Sequence, residues 1–129
     1  VRIVNAGNTF VTLTKRAHFL KIQASDIKFV TPRLIILALP LTQFPLSLTP
    51  QQFYIGFTVT KTVGGAVERN SVKRRLRQLL PEALSIHGNP LAAYAIIARK
   101  AALTADFLDL RTDVQRGVQY ICRKHSFLA

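Results

Sequence analysis

Phe53-Tyr54-Ile55-Gly56-Phe57-Thr58-Val59-Thr60, followed by Gly65-Ala66-Val67-Glu68-Arg69-Asn70-Ser71-Val72-Lys73-Arg74-Arg75-Leu76-Arg77, decides how this chain is read. The first stretch alternates. Phe53, Ile55, Phe57 and Val59 point to one face of a strand, and Tyr54, Gly56, Thr58 and Thr60 to the other. That pattern predicts one face on a core and one small, polar face. Thr62-Val63-Gly64-Gly65 then turns the chain into a helix. On that helix Asn70, Lys73, Arg74 and Arg77 fall at i, i+3, i+4 and i+7. Val72, Leu76, Leu79, Leu80 and Ala83 share another face. The apolar face anchors the helix, and the cationic face offers a fixed row of charge suited to a polyphosphate backbone. Solvated helix faces usually mix signs. Here only Glu68 opposes Arg69, Lys73, Arg74, Arg75 and Arg77, which favours nucleic acid.

Downstream, Pro81 is expected to end or kink the helix near Leu80. His87-Gly88-Asn89-Pro90 reads as a loop and Tyr94 to Arg99 as a buried strand. Thr104 is the candidate cap of a last helix in which Phe107, Val114, Val118 and Ile121 repeat at helical spacing. Upstream, Phe29 to Leu39 is β-rich, with Pro32 marking an edge or a strand's start. Pro40 to Gln51 is a long connection punctuated by Pro45 and Pro50. Thr14 to Ile22 reads as a short helix capped by Thr14, with Phe19 and Ile22 on one face. Residues 1–13 read as an N-terminal extension, which leaves a single domain over 14–125. The order is α-β-β-α-β-α, with room for one more short strand near Lys28 or Leu46. That order predicts an α+β or α/β sandwich with a single mixed sheet.

The chain has 129 residues, suited to one domain, and its hydrophobic fraction of 49% is ample for a core. A formal charge of +12 and a pI near 11.0 favour anionic partners and make their binding salt-dependent. The single cysteine, Cys122, excludes an internal disulfide and a cysteine-built metal site. It lies in an apolar-periodic segment and is expected to be packed rather than reactive. The longest apolar run, Leu34 to Leu41, is too short to span a membrane. The opening residues lack the apolar region of a signal peptide, so a cytoplasmic location is expected.

A self-sufficient nuclease needs metal-binding carboxylates or an acid-base pair. Asp26, Glu68, Glu82, Asp106, Asp109 and Asp113 form no metal motif; the last three share one helix face, read as solvated. His18, His87 and His125 are scattered, and Ser71 has no activating base in view. Gly64-Gly65 before a helix is a weak phosphate-cradle signal. No catalytic residue is expected in the chain itself. Phe19, with Lys15, Arg16 and Lys21 around it, is either a stacking platform for unpaired bases or a core residue.

These residues resemble a known family. Phe57-Thr58-Val59-Thr60-Lys61 and Gly65 to Arg77 look like the signature of the bacterial ribonuclease P protein. Thr14-Lys15-Arg16-Ala17-His18-Phe19 resembles its N-terminal segment, and Ala95-Ile96-Ile97-Ala98-Arg99-Lys100 its last strand. The resemblance implies a ribosomal S5 domain 2-like fold: a mixed four-stranded sheet with about three helices, order α-β-β-β-α-β-α, and a left-handed β-α-β crossover. It implies the protein subunit of an RNA-based endoribonuclease that removes the 5′ leader of precursor tRNA, a hydrolase whose RNA carries the active site and its Mg2+. Its partners would be ribonuclease P RNA and precursor tRNA, with no membrane, and the protein would be monomeric outside the holoenzyme. By position, Arg69, Asn70, Lys73, Arg74 and Arg77 would meet the catalytic RNA. Phe19, Lys15, Arg16, Thr58, Thr60, Lys61 and Lys100 would line or flank the leader cleft. Three positions depart from the family pattern: Ser71 stands where an arginine is usual, Thr62 where a lysine is usual, and Gln23 where an aromatic is often found. The competing readings are a structural RNA-binding protein of ribosomal type, a basic peripheral membrane protein and a helix-turn-helix DNA binder.

Overall fold

A computed structural model describes residues 2–5, 7–44 and 52–125. The alternating apolar segments form strands that join one sheet. β1 (Arg2–Asn5) and β2 (Asn8–Thr12) make a hairpin, with Gly7 at φ 81° in the left-handed region its turn requires. α1 (Arg16–Gln23) follows, then β3 (Lys28–Val30) and β4 (Leu34–Pro40). β5 (Phe53–Thr58), α2 (Ala66–His87), β6 (Ala92–Ala98) and α3 (Phe107–Lys124) complete the order. The sheet runs β1-β2-β5-β6-β4-β3. β5 pairs in parallel with β2 and β6, and the other pairs are antiparallel. From α1 onward this is the expected α-β-β-β-α-β-α order. The extra strand near Lys28 is β3; the position near Leu46, Pro45 and most of the Pro40–Gln51 connection lie outside the described residues.

Six strands replace the expected four. Residues 1–13, read as an extension, contribute β1 and β2, and Phe10 is fully buried against Phe53, their rings 4.9 Å apart. Tertiary pairing with β5 supplies what local propensity leaves weak.

The two faces of the sheet carry different loads. α2 and α3 cover one, where Val72, Leu76, Leu79, Leu80 and Ala83 meet Phe53, Ile55, Tyr94 and Ile96 in the main core. All five α2 residues were expected to share that face. On α3, Leu110, Val114, Val118 and Ile121 are fully buried. Gly117 lets the helix approach closely, since a Cβ there would collide with Ile36 Cδ1. The opposite face was read as small and polar, but it holds a second, smaller core of Leu13, Ile22, Leu37, Leu39, Phe44, Tyr54, Ala93 and Ala95. α1 covers it and, at 8 residues, is only about 12 Å long, so part of the face stays open.

Three local expectations shift. Thr14 does not cap α1; the cap position is Lys15, without a side-chain bond. Thr104 does not cap α3, which starts after Asp106. Pro81 neither ends nor visibly interrupts α2, which runs on to His87. Its missing N–H removes one intrahelical bond, to the Arg77 carbonyl, while buried Leu79, Leu80, Ala83 and Leu84 hold both sides of the helix on the core.

Cys122 is half-buried, its Sγ 3.4 Å from the Tyr94 hydroxyl, which donates to the Asn89 carbonyl at 2.8 Å. Burial pushes both groups above their ordinary pKa. An unfolded thiol ionises from about pH 8.5 and a phenol from about 10. Above those values the unfolded chain binds fewer protons than the folded one, so stability falls as pH rises. The denaturant midpoint is expected to drop progressively between about pH 8.5 and 10.5, and Cys122→Ala to remove the lower part of that decline. A flat profile in the parent chain would contradict the buried-thiol account. Among the described residues, no helix is long and apolar enough to cross a membrane.

Candidate nucleic-acid interface

The short α1 leaves a cleft beside β5 of about 500 Å³. Thr14, Arg16, Phe19, Leu20 and Gln23 form one wall; Phe57, Thr58 and Val59 form the floor, and Lys73 of α2 stands at the side. Phe19 reaches in because Gly56 makes room: a Cβ at Gly56 would lie 2.5 Å from Phe19 Cζ. A side chain at 56 and the Phe19 ring cannot occupy their present places together. The ring is half-buried, so it packs against the strand and keeps part of its surface open to the cleft.

Of the residues expected at the cleft, Phe19, Arg16 and Thr58 line it. Lys15 is exposed at the start of α1 and lines a smaller neighbouring hollow of about 230 Å³ with Thr12, His18 and Tyr54. Thr60 lies past the end of β5, its hydroxyl 2.6 Å from that of Thr62, and Lys61 is exposed in the turn that follows. Lys100 is exposed just past β6. Because β5 and β6 are parallel, with Thr58 opposite Ile97, Thr60, Lys61 and Lys100 leave the sheet at the same end. None of the three lines the cleft.

Gly56, Leu20 and the edges of Phe57 and Val59 were not expected there. Strand alternation assigns Phe57 and Val59 to the core, correctly, but β5 ends beside α1 and their edges show. The glycine within an otherwise apolar strand was the available signal for Gly56, since such a residue marks a close approach.

Along α2, Asn70, Arg74 and Arg77 are exposed, and Arg69 and Lys73 half-buried. Arg75 faces another way, donating to the Ala105 carbonyl at 3.2 Å and to Ser71 Oγ at 3.5 Å. That arginine ties α2 to the segment before α3 and is not part of the row. Lys73 was expected with the row alone; it also walls the cleft, so the charge row and the cleft are contiguous. At the helix start the Glu68 carboxylate accepts the Gly65 N–H at 3.0 Å. An anion at Gly64-Gly65 would meet that carboxylate, which argues against a phosphate cradle.

The acids have other tasks. Asp113 binds Arg33 at 3.2 Å and accepts from Thr31 Oγ1 at 3.1 Å; Asp109 lies 3.7 Å from Arg33. Asp106 and Asp109 are exposed, as a solvated face requires, while half-buried Asp113 ties α3 to the segment before β4. Glu82 pairs with Arg111. No group of three His, Cys, Asp or Glu among the described residues is placed to hold a metal ion. His18 is buried, its ring edge-on to Phe44 at 5.5 Å.

Residues 8–122 match the Ribonuclease P family model. The chain belongs to the ribonuclease P protein family. The ribonuclease P protein component of Paramagnetospirillum magneticum is 35% identical over 109 residues, 84% of this chain and 80% of that one. That of Bartonella quintana is 32% identical over 107 residues, covering 83% and 80%. The fold is that of the RNase P protein of Staphylococcus aureus (TM-score 0.68, 21% identity, 87% of this chain and 94% of that one). It is also that of the protein from Thermotoga maritima (TM-score 0.67, 18% identity, 85% and 96%). The ribonuclease P family match begins at the first residue of β2, consistent with that strand's place in the sheet.

Proposed function

We propose that this chain is the protein subunit of a ribonuclease P holoenzyme and assists removal of the 5′ leader from precursor tRNA. The observation that carries this reading is the contiguity of an unoccluded cleft with a one-sign charge row, joined at Lys73. Arg69, Asn70, Arg74 and Arg77 hold phosphates of ribonuclease P RNA. Phe19 stacks an unpaired leader base, Thr58 offers a hydroxyl to the backbone, and Arg16 and Lys73 neutralise its phosphates. Lys15, Thr60, Lys61 and Lys100 guide the leader at the mouth. With Gln23 in the wall instead of an aromatic, one stacking surface does the work. Among the described residues no cluster of acids, histidines or cysteine is placed to hold a metal ion, and in this reading Mg2+ with its hydrolytic chemistry belongs to the RNA. The protein's contribution is positional: it neutralises two RNAs at once and holds the leader extended, which reduces the entropy left to lose at the transition state. It acts in the cytoplasm, as a monomer outside the holoenzyme.

Leader cleavage at low, near-physiological magnesium tests this in four mixtures: no subunit, protein, cognate RNA, and both. Cleavage only with both is the expected result. Cleavage by protein alone would place the chemistry in the chain and overturn the reading. Intact RNA binding with no stimulation would leave a purely structural RNA-binding protein.

A further inference from the structure

A second groove lies away from the cleft, between α3 and the edge strand β3. It encloses about 590 Å³ and is lined by Phe29, Arg116, Gln119, Tyr120, Arg123 and Lys124. None of these residues lines the cleft. β3 lies three strands from β5, about 14 Å across the sheet, and α3 packs on the face opposite α1.

On α3, positions 116, 119, 120, 123 and 124 fall at i, i+3, i+4, i+7 and i+8, one continuous stripe. Arg116 and Arg123 are separated by about 10 Å along the axis, so they can meet different phosphates of one strand. Among the described residues none of the three cations is paired with an acid. The acids one and two turns upstream, Asp113 and Asp109, are engaged by Arg33, so the groove's positive field is not offset from within.

Tyr120 stands in the middle, 44% exposed, its ring centroid 5.5 Å from that of Phe29. Lys124 Nζ lies 5.4 Å from the ring centroid and 3.1 Å from the hydroxyl. Cations in a last turn often serve only the helix dipole. That accounts for Arg123 and Lys124. It does not account for Arg116, two turns earlier, or for an aromatic ring turned outward among cations.

We propose that this groove is a second RNA-contact surface, taking a single-stranded segment whose phosphates meet Arg116, Arg123 and Lys124 and whose base packs on Tyr120. A base arriving on the ring displaces the Lys124 ammonium, which moves onto a phosphate. With the cleft and charge row occupied, the groove gives the protein a contact to RNA on another side. The inference rests on the RNA-binding reading above.

The test is a salt titration of full-chain binding to ribonuclease P RNA, comparing the parent with R116A/R123A/K124A and with Tyr120→Ala. All four positions are solvent-facing, and an unchanged melting temperature verifies folding. The triple variant is expected to lose about tenfold in affinity and to flatten the log–log salt slope by roughly 2, at about 0.7 per phosphate on single strands. Tyr120→Ala is expected to weaken binding about tenfold with the slope unchanged, because stacking releases no counterions. Parent binding with both variants indistinguishable from it would overturn the groove and leave the general reading standing. Failure of the parent itself to bind would instead overturn the general reading. A photo-crosslinker at Gln119 that captures only protein in the assembled holoenzyme would mean an acidic protein partner and would likewise overturn it.

Discussion

Alanine at Arg69, Arg74 and Arg77 together is expected to weaken binding to ribonuclease P RNA by roughly a hundredfold or more. Arg74 and Arg77 share one face of a helix fixed to the core by Val72, Leu76, Leu79 and Leu80, and half-buried Arg69 stands to the side of that face one turn earlier, so all three meet the RNA from a rigid support. Each charge-assisted contact contributes about 1 kcal/mol or more, and three together exceed two factors of ten. Neutralising about four to five phosphates gives the parent a log–log salt slope of roughly −3 to −5, and the variant should lose about 2 of it. The helix should be undisturbed, since alanine has the higher helix propensity. Arg75→Ala is the informative contrast. Its guanidinium binds Ala105 and Ser71, so its loss should lower the melting temperature and barely change the salt slope. Equal salt-slope losses for Arg75→Ala and for a single row arginine would dissolve the distinction between the row and the tie.

The second large effect is expected at a residue that carries no chemistry. Gly56→Ala places a methyl 2.5 Å from Phe19 Cζ, so the ring must leave the strand and swing into the cleft. Overpacking of this kind costs about 1–3 kcal/mol. Affinity for precursors with a long leader should fall about tenfold, comparable to the loss of one stacked base, while affinity for mature tRNA stays level. Phe19→Ala should produce the same leader-specific loss by removing the platform. The two changes should not add. Once Phe19 is alanine, the three atoms nearest a methyl at 56 are gone, and Gly56→Ala should become nearly silent. Additive losses, or equal loss for mature tRNA, would show that Phe19 does not act through its seat on Gly56.

What was legible in the sequence follows from period and charge. The alternation of β5 and the helical repeat of α2 place Ile55, Val72, Leu76 and Leu80 in the core without any tertiary information, because one buried face imposes its period on the residues that fill it. The same repeat leaves Asn70, Arg74 and Arg77 outside. Local signals fared worse. Thr14 and Thr104 are good caps by residue type, yet α1 starts at Arg16 and α3 after Asp106, since packing rather than the cap chose the boundaries. Pro81 is a strong breaker by residue type, yet α2 continues because its neighbours are buried on both sides.

Sequence by itself determined the class of fold and the charge row, since each depends on residue type and spacing along one element. Only the tertiary structure decided the cleft. It exists because an eight-residue α1 covers part of a sheet face, because a glycine on a different element admits the Phe19 ring, and because a helix from the opposite side brings Lys73 to its wall. It likewise decided that residues 8–12 are a strand, since pairing with β5 lies in contacts more than forty residues away. Spacing along a chain cannot report the distance between two elements, and the site is made of such distances.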